Sequence, residues 1–368
     1  MIGLTLGSYL ARHMLRMTGL IFLLFLTLIL AVDLIELARA VPQKAGAGIY
    51  DLFLVAVLRA PELAQNVLPF AVLFGAAASL MALNARLELV VARASGVSVW
   101  QFLLPLALSA VAIGLVAATT YNPLSLSAQT QSRALEAEIF GKVKGNFANT
   151  SSNFWLRAGQ PGGDVIIRAL IEQNGGRDLT GVTLYRFTLD GVLVERVDAE
   201  SARFVRLPNG ENGYRLQGAT VTDPGQKGVE RDVYDVELSL SASELRLNTT
   251  IPAAVSFWNL GEQARRAQEA GRNHLPFLTR QAALTSQSLL FVAMVLIAGA
   301  VSLRFARFGA NGKLILGGIL SGFVLYVASQ LVLPFGRNGF VSPVMAAWAP
   351  ALVGVLVGVT VLLHQEDG

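Results

Sequence analysis

The sequence predicts a helical membrane protein: six transmembrane helices in two groups of three, with an antiparallel β domain inserted between the groups. Three observations predict it. Only 15% of the 368 residues are charged and 53% are hydrophobic, whereas about a quarter of a soluble domain is charged; mean hydropathy is +0.54. Apolar runs long enough to cross a bilayer core occur before residue 122 and after residue 280. Residues 122–280 carry 18 Lys+Arg and 18 Asp+Glu against 11 and 7 elsewhere, so the net charge of +4 belongs to the apolar parts. The pI near 9.5 is therefore a membrane-flank effect, and no basic strip interleaved with aromatics marks a nucleic-acid groove. With no cysteine, disulfides and thiolate metal sites are excluded.

The first group occupies residues 1–121. In "LGSYLARHMLRMTG", Leu6, Leu10, His13, Met14 and Met17 recur at three and four, with Arg12 and Arg16 on the other side. That pattern is an amphipathic helix suited to a membrane surface. "LIFLLFLTLILAVDLIEL" continues it as a first span over roughly 18–38, with no small-residue cleavage site behind it, and reads as a retained span. Asp33 and Glu36 near its end read as interfacial charges or as functional ones. The second span falls at about 61–83, with Pro61 and Pro69 in its first half, and the third at about 100–121.

Residues 122–280 differ in kind. "DVIIRALI", "GVTLYRFTL", "GVLVERV", "ARFVRL", "GYRLQGATV" and "DVYDVELSL" alternate with period two, separated by turn signals such as "PNGENG" and "DPG". Alternation with turns at this spacing argues an antiparallel sandwich or jelly roll. "WNLGEQARRAQEAGR" (258–272) reads as a polar helix leading back to the membrane. The second group, 281–368, holds spans at about 281–303, 313–335 and 343–363.

Orientation follows from the positive charges flanking the spans. With the N-terminus inside, the inner flanks carry seven (Arg12, Arg16, Arg86, Arg93, Arg304, Arg307, Lys313) and the outer loops four (Arg39, Lys44, Arg59, Arg337). This puts the β domain outside.

Catalytic chemistry finds little support. His13, His274 and His364 are far apart, without metal-ligand spacing. G-x-S-x-G and H-E-x-x-H motifs are absent. "GANGKL" (309–314) resembles a phosphate loop only superficially, with Leu314 where Ser or Thr would hold magnesium. No cofactor is expected in this chain.

The connection between spans two and three, "NARLELVVARASGVSVW" (84–100), is more informative. Taken as a helix over 84–96, it gathers Leu87, Val90, Val91 and Ala94 on one side, Arg86 and Arg93 at one border, and Asn84, Glu88 and Ser95 opposite the arginines. Glu88 has no basic residue at i±3 or i±4, which excludes an intrahelical ion pair. It reads as a solvated charge or as a residue presented to another protein. Short amphipathic cytoplasmic helices of this kind are how the membrane subunits of ABC transporters engage their ATPase.

"RLELVVARASGVS" resembles the signature that follows the second span in the lipopolysaccharide-export permeases, the LptF/LptG family. The three-plus-three layout around an external β domain is also theirs. "GFVLYVASQLVLPFGRNGFVSPVMAAWAPALV", with its F-x-x-Y-x-x-x-Q run (Phe323, Tyr326, Gln330), is more similar to the LptG branch, and "NFWLRAG" with "DVIIRA" resembles the family's first β strands. The resemblance implies a periplasmic jelly-roll-like domain and residence in the bacterial inner membrane. It implies an LptF-like permease as heterodimer partner, two LptB-like ATPase subunits holding the ATP and magnesium, and an LptC-like single-span partner. The substrate would be lipopolysaccharide, leaving through a gate between the first span of one permease and the fifth of the other.

By the same resemblance Glu88 contacts the ATPase, in a coupling helix at about 84–98 with Arg86, Arg93, Ser95 and Gly96. Arg39, with Lys44 nearby, matches a place where basic residues meet lipid phosphates. The residues themselves fit such a cargo. A phosphorylated lipid needs an apolar wall, offered by Leu320, Phe323, Leu325 and Val327, and a basic rim, offered by Arg39, Lys44, Arg59 and Arg337. Each rim residue reads equally as an interfacial anchor. Tyr326 and Gln330 read as gate contacts or as interhelical hydrogen-bonding groups. Two other classes remain in view: a membrane scaffold or sensor with an external β domain, and a mechanotransmitting ABC permease, whose usual layout places one span before the external domain.

Overall fold

The computed structural model describes residues 4–40, 48–141, 154–160, 163–173, 176–188, 190–208, 210–223, 228–238, 252–269, 272–308 and 312–367. The chain divides into two compact units: the helices, residues 1–143 and 252–368, and the strands, residues 144–251. The helical connectors at 122–143 and 252–280 thus group with the spans, whereas the sequence pattern assigned them to the β domain. Among the described residues, six helices are long and apolar enough to cross a membrane; in sequence, three precede the strands and three follow them.

Helix α1 (Leu4–Ala40) is one helix of 37 residues, about 55 Å long at 1.5 Å per residue. The expected surface helix and first span are continuous, with Thr18 packed at their junction. Thr18 is buried against Gly75, where a Cβ would fall 2.2 Å from the Thr18 hydroxyl oxygen. Such close approach of small residues is how helices associate in lipid.

The second span starts later than expected. Helix α2 (Ile49–Gln65) stops at Asn66-Val67, and α3 (Leu68–Ala85) restarts with a proline in its first turn. Pro69 has no N–H to donate back into α2, but a helix start needs none there. After α4 (Glu88–Ala94), α5 (Val99–Val116) runs through a π-helical turn at Ala117–Tyr121 into α6 (Asn122–Gly141). The third span therefore overruns its expected end at 121.

Helices α7 (Leu260–Glu269), α8 (Leu275–Phe308), α9 (Gly312–Arg337) and α10 (Pro343–Asp367) complete the helical unit. Helix α8 is the centre, packed against α3, α5, α7, α9 and α10. It is apolar all round in its span, as a helix buried on every side must be, and Phe291, Met294 and Val295 are inaccessible. They join Leu80, Leu83, Phe102 and Leu106 in one core.

In the β unit, β1 (Phe154–Gln160), β2 (Gly163–Gln173), β3 (Asp178–Thr188), β4 (Leu193–Arg206), β5 (Asn212–Thr222) and β6 (Val229–Glu237) form one antiparallel sheet in sequence order. A line of residues crosses it outside the pairing ladder: Leu170, Gly181, Glu200, Gly218 and Asp232. Register is the same on both sides, yet the inward phase slips by one residue there. Buried positions run 179 then 182 on β3, 199 then 202 on β4, and 216 then 219 on β5. Gly181 and Gly218 have φ of +64° and +60°, left-handed values that only glycine takes without strain. The line is a crease.

The crease lets the sheet fold over its own apolar face. The Arg186 guanidinium donates to the Tyr234 hydroxyl at 3.2 Å, and that hydroxyl donates to Glu195 at 2.8 Å. Along the ladders Tyr234 lies opposite Leu216, Ala202 and Leu179 in turn. A flat sheet would therefore hold Tyr234 and Arg186 about 27 Å apart, seven residues along and three strands across. Leu184, Val197, Leu216 and Val236 fill the space between the two limbs.

Candidate functional site

The 84–100 connection is not one helix. Helix α3 ends at Ala85, Arg86 and Leu87 form a turn, and α4 begins at Glu88. Leu87 has φ +62°, the one non-glycine residue in the left-handed region among those described, a conformation that costs roughly 1–2 kcal/mol. That turn corrects the single wheel drawn over 84–96, because Asn84 and Glu88 belong to different helices. The far end of α4 is built from glycine geometry. The Val97 amide bonds the Ala92 carbonyl and the Gly96 amide bonds that of Arg93, with Gly96 at φ +89°, the Schellman arrangement. The Ser95 hydroxyl donates to the Ala92 carbonyl at 2.8 Å. Ser98 then caps α5 through a reciprocal pair with Gln101. Ser95 and Gly96 thus close the connector, while Arg86 and Arg93 are exposed on it.

Seven residues give α4 little to hold it. Leu89 is its one buried side chain, whereas Leu87, Val90 and Val91 are 61%, 48% and 66% exposed. Three neighbouring apolar side chains left uncovered on a short helix and its entry turn are the composition of a contact surface. Glu88 does not share that exposure. It is half-buried and accepts a hydrogen bond from the Tyr9 hydroxyl of α1 at 2.9 Å. One turn along α1, His13 Nδ1 pairs with the Ser79 hydroxyl of α3 at 2.8 Å. The sequence pattern did not single out Tyr9. The one signal for it was negative: a carboxylate without a helical partner finds one elsewhere in the fold.

A second feature is the exposure of two spans. Of the span residues in α1, 11% are buried, and in α9 17%, against 33–61% in the other four. The two lie either side of a wholly apolar groove lined by Phe25 of α1, Phe70 and Phe74 of α3, and Leu320 and Phe323 of α9. Phe70 stacks on Phe323 at 6.3 Å and meets Tyr326 edge-on at 4.9 Å. Tyr326 and Gln330 lie one turn apart on α9. Phe70 and Phe74 were not expected from the sequence, since α3 is apolar on all sides and its pattern gives no preferred face.

The basic rim residues separate into two kinds. Arg39 and Arg337, in the last turns of α1 and α9, are exposed and make no ion pair among the described residues. Lys44 lies outside the described residues. Arg59 is committed: it faces Asp33 at 3.6 Å and Glu136 at 3.8 Å, so its charge is neutralised within the fold. Asp33 is 4% exposed, which corrects the interfacial assignment; it is the buried end of this cluster.

A protein-family model, "Lipopolysaccharide export system permease LptF/LptG", matches residues 8–364. The "Lipopolysaccharide export system permease protein LptG" of Escherichia coli strain K12 is 25% identical over 356 residues, covering 93% of this chain and 95% of the relative. The LptG of E. coli O6:H1 strain CFT073 matches to the same extent. With the apolar helices and the β unit arranged as described, and the match running through both, this multi-pass membrane protein belongs to the LptF/LptG family of lipopolysaccharide export system permeases.

Proposed function

We propose that this chain is one permease half of an ATP-driven extractor that lifts lipopolysaccharide out of the bacterial inner membrane and passes it toward a periplasmic bridge. It is a transport subunit without catalytic residues or cofactor of its own; ATP and magnesium reside in two LptB-like ATPase subunits. The observation that carries the proposal is the pair of under-packed spans. Helices α1 and α9 leave most of their surface uncovered, as expected of helices that face a second, LptF-like permease and the lipid passing between the two. In this reading Phe323, Tyr326 and Gln330 line the acyl-chain path, and Arg39, Lys44 and Arg337 meet phosphates at its outer rim by charge-assisted hydrogen bonds.

The N-terminus lies on the cytoplasmic side, which puts α4 there too. Its uncovered Leu87, Val90 and Val91 sit in the ATPase cleft, with Glu88, Arg86 and Arg93 supplying polar contacts and Ser95 and Gly96 fixing its end. The β unit stands in the periplasm as a jelly-roll-like shell, supported by the folding of its sheet across the crease, and meets an LptC-like single-span partner. Purification from the native membrane in mild detergent tests the assignment. Recovery of an ATPase and a second chain with six spans is expected; recovery of this chain alone, or with a soluble regulator, would overturn it.

A further inference from the structure

Helix α4 has one apolar anchor, Leu89, and enters through a strained turn at Leu87. An apolar anchor fixes depth but not rotation. The directional bond at its first turn is Tyr9 Oη to Glu88 Oε2 at 2.9 Å, spanning 79 positions of sequence. Its donor stands near one end of the continuous helix α1, which carries Phe25 into the apolar groove and Asp33 into the Arg59 cluster farther along. Two contacts, one from α4 and one from α3, therefore converge on one face of α1: Glu88 at Tyr9, and Ser79 at His13 one turn later. Arg86, in the turn between α3 and α4, flanks the same pair.

We propose that Tyr9 is the positioning residue that ties the docking helix to the gate helix, so that displacement of α4 reaches α1 directly through the Tyr9–Glu88 bond as well as through the packing of α3. The inference rests on the reading of α4 as the ATPase contact. The bond does two jobs. It orients the Glu88 carboxylate, leaving its second oxygen for a partner, and it makes the end of α1 follow the end of α4. Since α1 is unbroken over 37 residues, a tilt imposed at Tyr9 is carried along the rod to the groove and the outer rim.

The test uses the full complex in proteoliposomes containing lipopolysaccharide, with lipid released and ATP hydrolysed measured together. Tyr9→Phe removes only the hydroxyl. Loss of one hydrogen bond to a carboxylate at a part-exposed site is expected to lower lipid released per ATP about fivefold, with the ATPase still co-purifying. Tyr9→His, which keeps a ring donor, should recover part of the ratio, a rescue that a packing role would not show. Glu88→Ala separates the two readings. If Glu88→Ala leaves release per ATP at the parental value, the docking assignment fails. If Glu88→Ala uncouples but Tyr9→Phe matches the parent, docking stands and the Tyr9 proposal is overturned.

Discussion

Arg59→Ala is expected to destabilise the helical unit although Arg59 is 35% exposed. Its removal leaves Asp33, 4% exposed, without its cation, and one Asp33 oxygen already lacks a partner. Breaking a buried ion pair from one side costs about 3–5 kcal/mol. The 3.6 Å separation and the exposure of Arg59 reduce this to about 2 kcal/mol. Asp33→Asn removes the buried charge and leaves Arg59 to Glu136, so it should cost less than about 1 kcal/mol. The double variant Asp33→Asn/Arg59→Ala should recover part of the single loss, a coupling of about 1 kcal/mol in a double-mutant cycle. Reversible unfolding in mixed detergent and SDS micelles, followed by circular dichroism, measures each difference. Stability of Arg59→Ala within about 0.5 kcal/mol of the parent would refute the reasoning and return Arg59 to the rim as a free phosphate ligand.

Other outcomes are expected. Val91→Asp places a charge on the 66% exposed face of α4 and should weaken ATPase association by roughly 1–2 kcal/mol, the share of a valine's burial it forfeits; unchanged affinity in a pull-down titration would remove that face from the contact. Gly75→Val forces atoms into the 2.2 Å gap beside Thr18 and should separate α1 from α3, read as a lowered unfolding temperature in detergent. Glu195→Ala strips the carboxylate from Arg186 and Tyr234 and should speed hydrogen exchange in β3 and β6 together, while leaving the helices unaffected. Burial and the bond to Glu195 hold the Tyr234 phenol above its ordinary value of 10.0. Because the folded state favours the protonated phenol, that stabilisation is present below pH 10 and is lost as pH rises through the folded value. The stability of the β unit should therefore fall less steeply with pH above 10 in Tyr234→Phe, which has no proton to lose.

The spans were legible because run length and hydropathy are properties of contiguous residues, and so were the strands from their alternation. What escaped the sequence was set by contacts between distant residues. Alternation in "GYRLQGATV" looks continuous, but Gly218 shifts its inward phase. Pro69 marks a helix start and not a kink, a distinction that depends on how α2 turns away. Asp33 reads as an interfacial charge until Arg59 and Glu136 are brought beside it from α2 and α6. At the candidate docking helix, the apolar positions Leu87, Val90 and Val91 were legible; the left-handed turn at Leu87 was not, because leucine carries no preference for it. Tyr9 was visible only as the unanswered need of Glu88.

The crease in the β unit constrains how its strands are allowed to change length. Gly181, Glu200 and Gly218 are each one residue in excess of a regular pleat, each facing its neighbour's excess residue, and Leu170 and Asp232 continue the line on the flanking strands. Deleting Gly218 alone would give β5 an unbroken alternation, with Leu216 and Ala219 still inward. Yet Glu200 and Asp232 would then face nothing, and every ladder beyond the crease, from Ala199–Ala219 onward, would slip by one. The line is therefore gained or lost by all five strands together, and insertions confined to one strand are tolerated only in its hairpins.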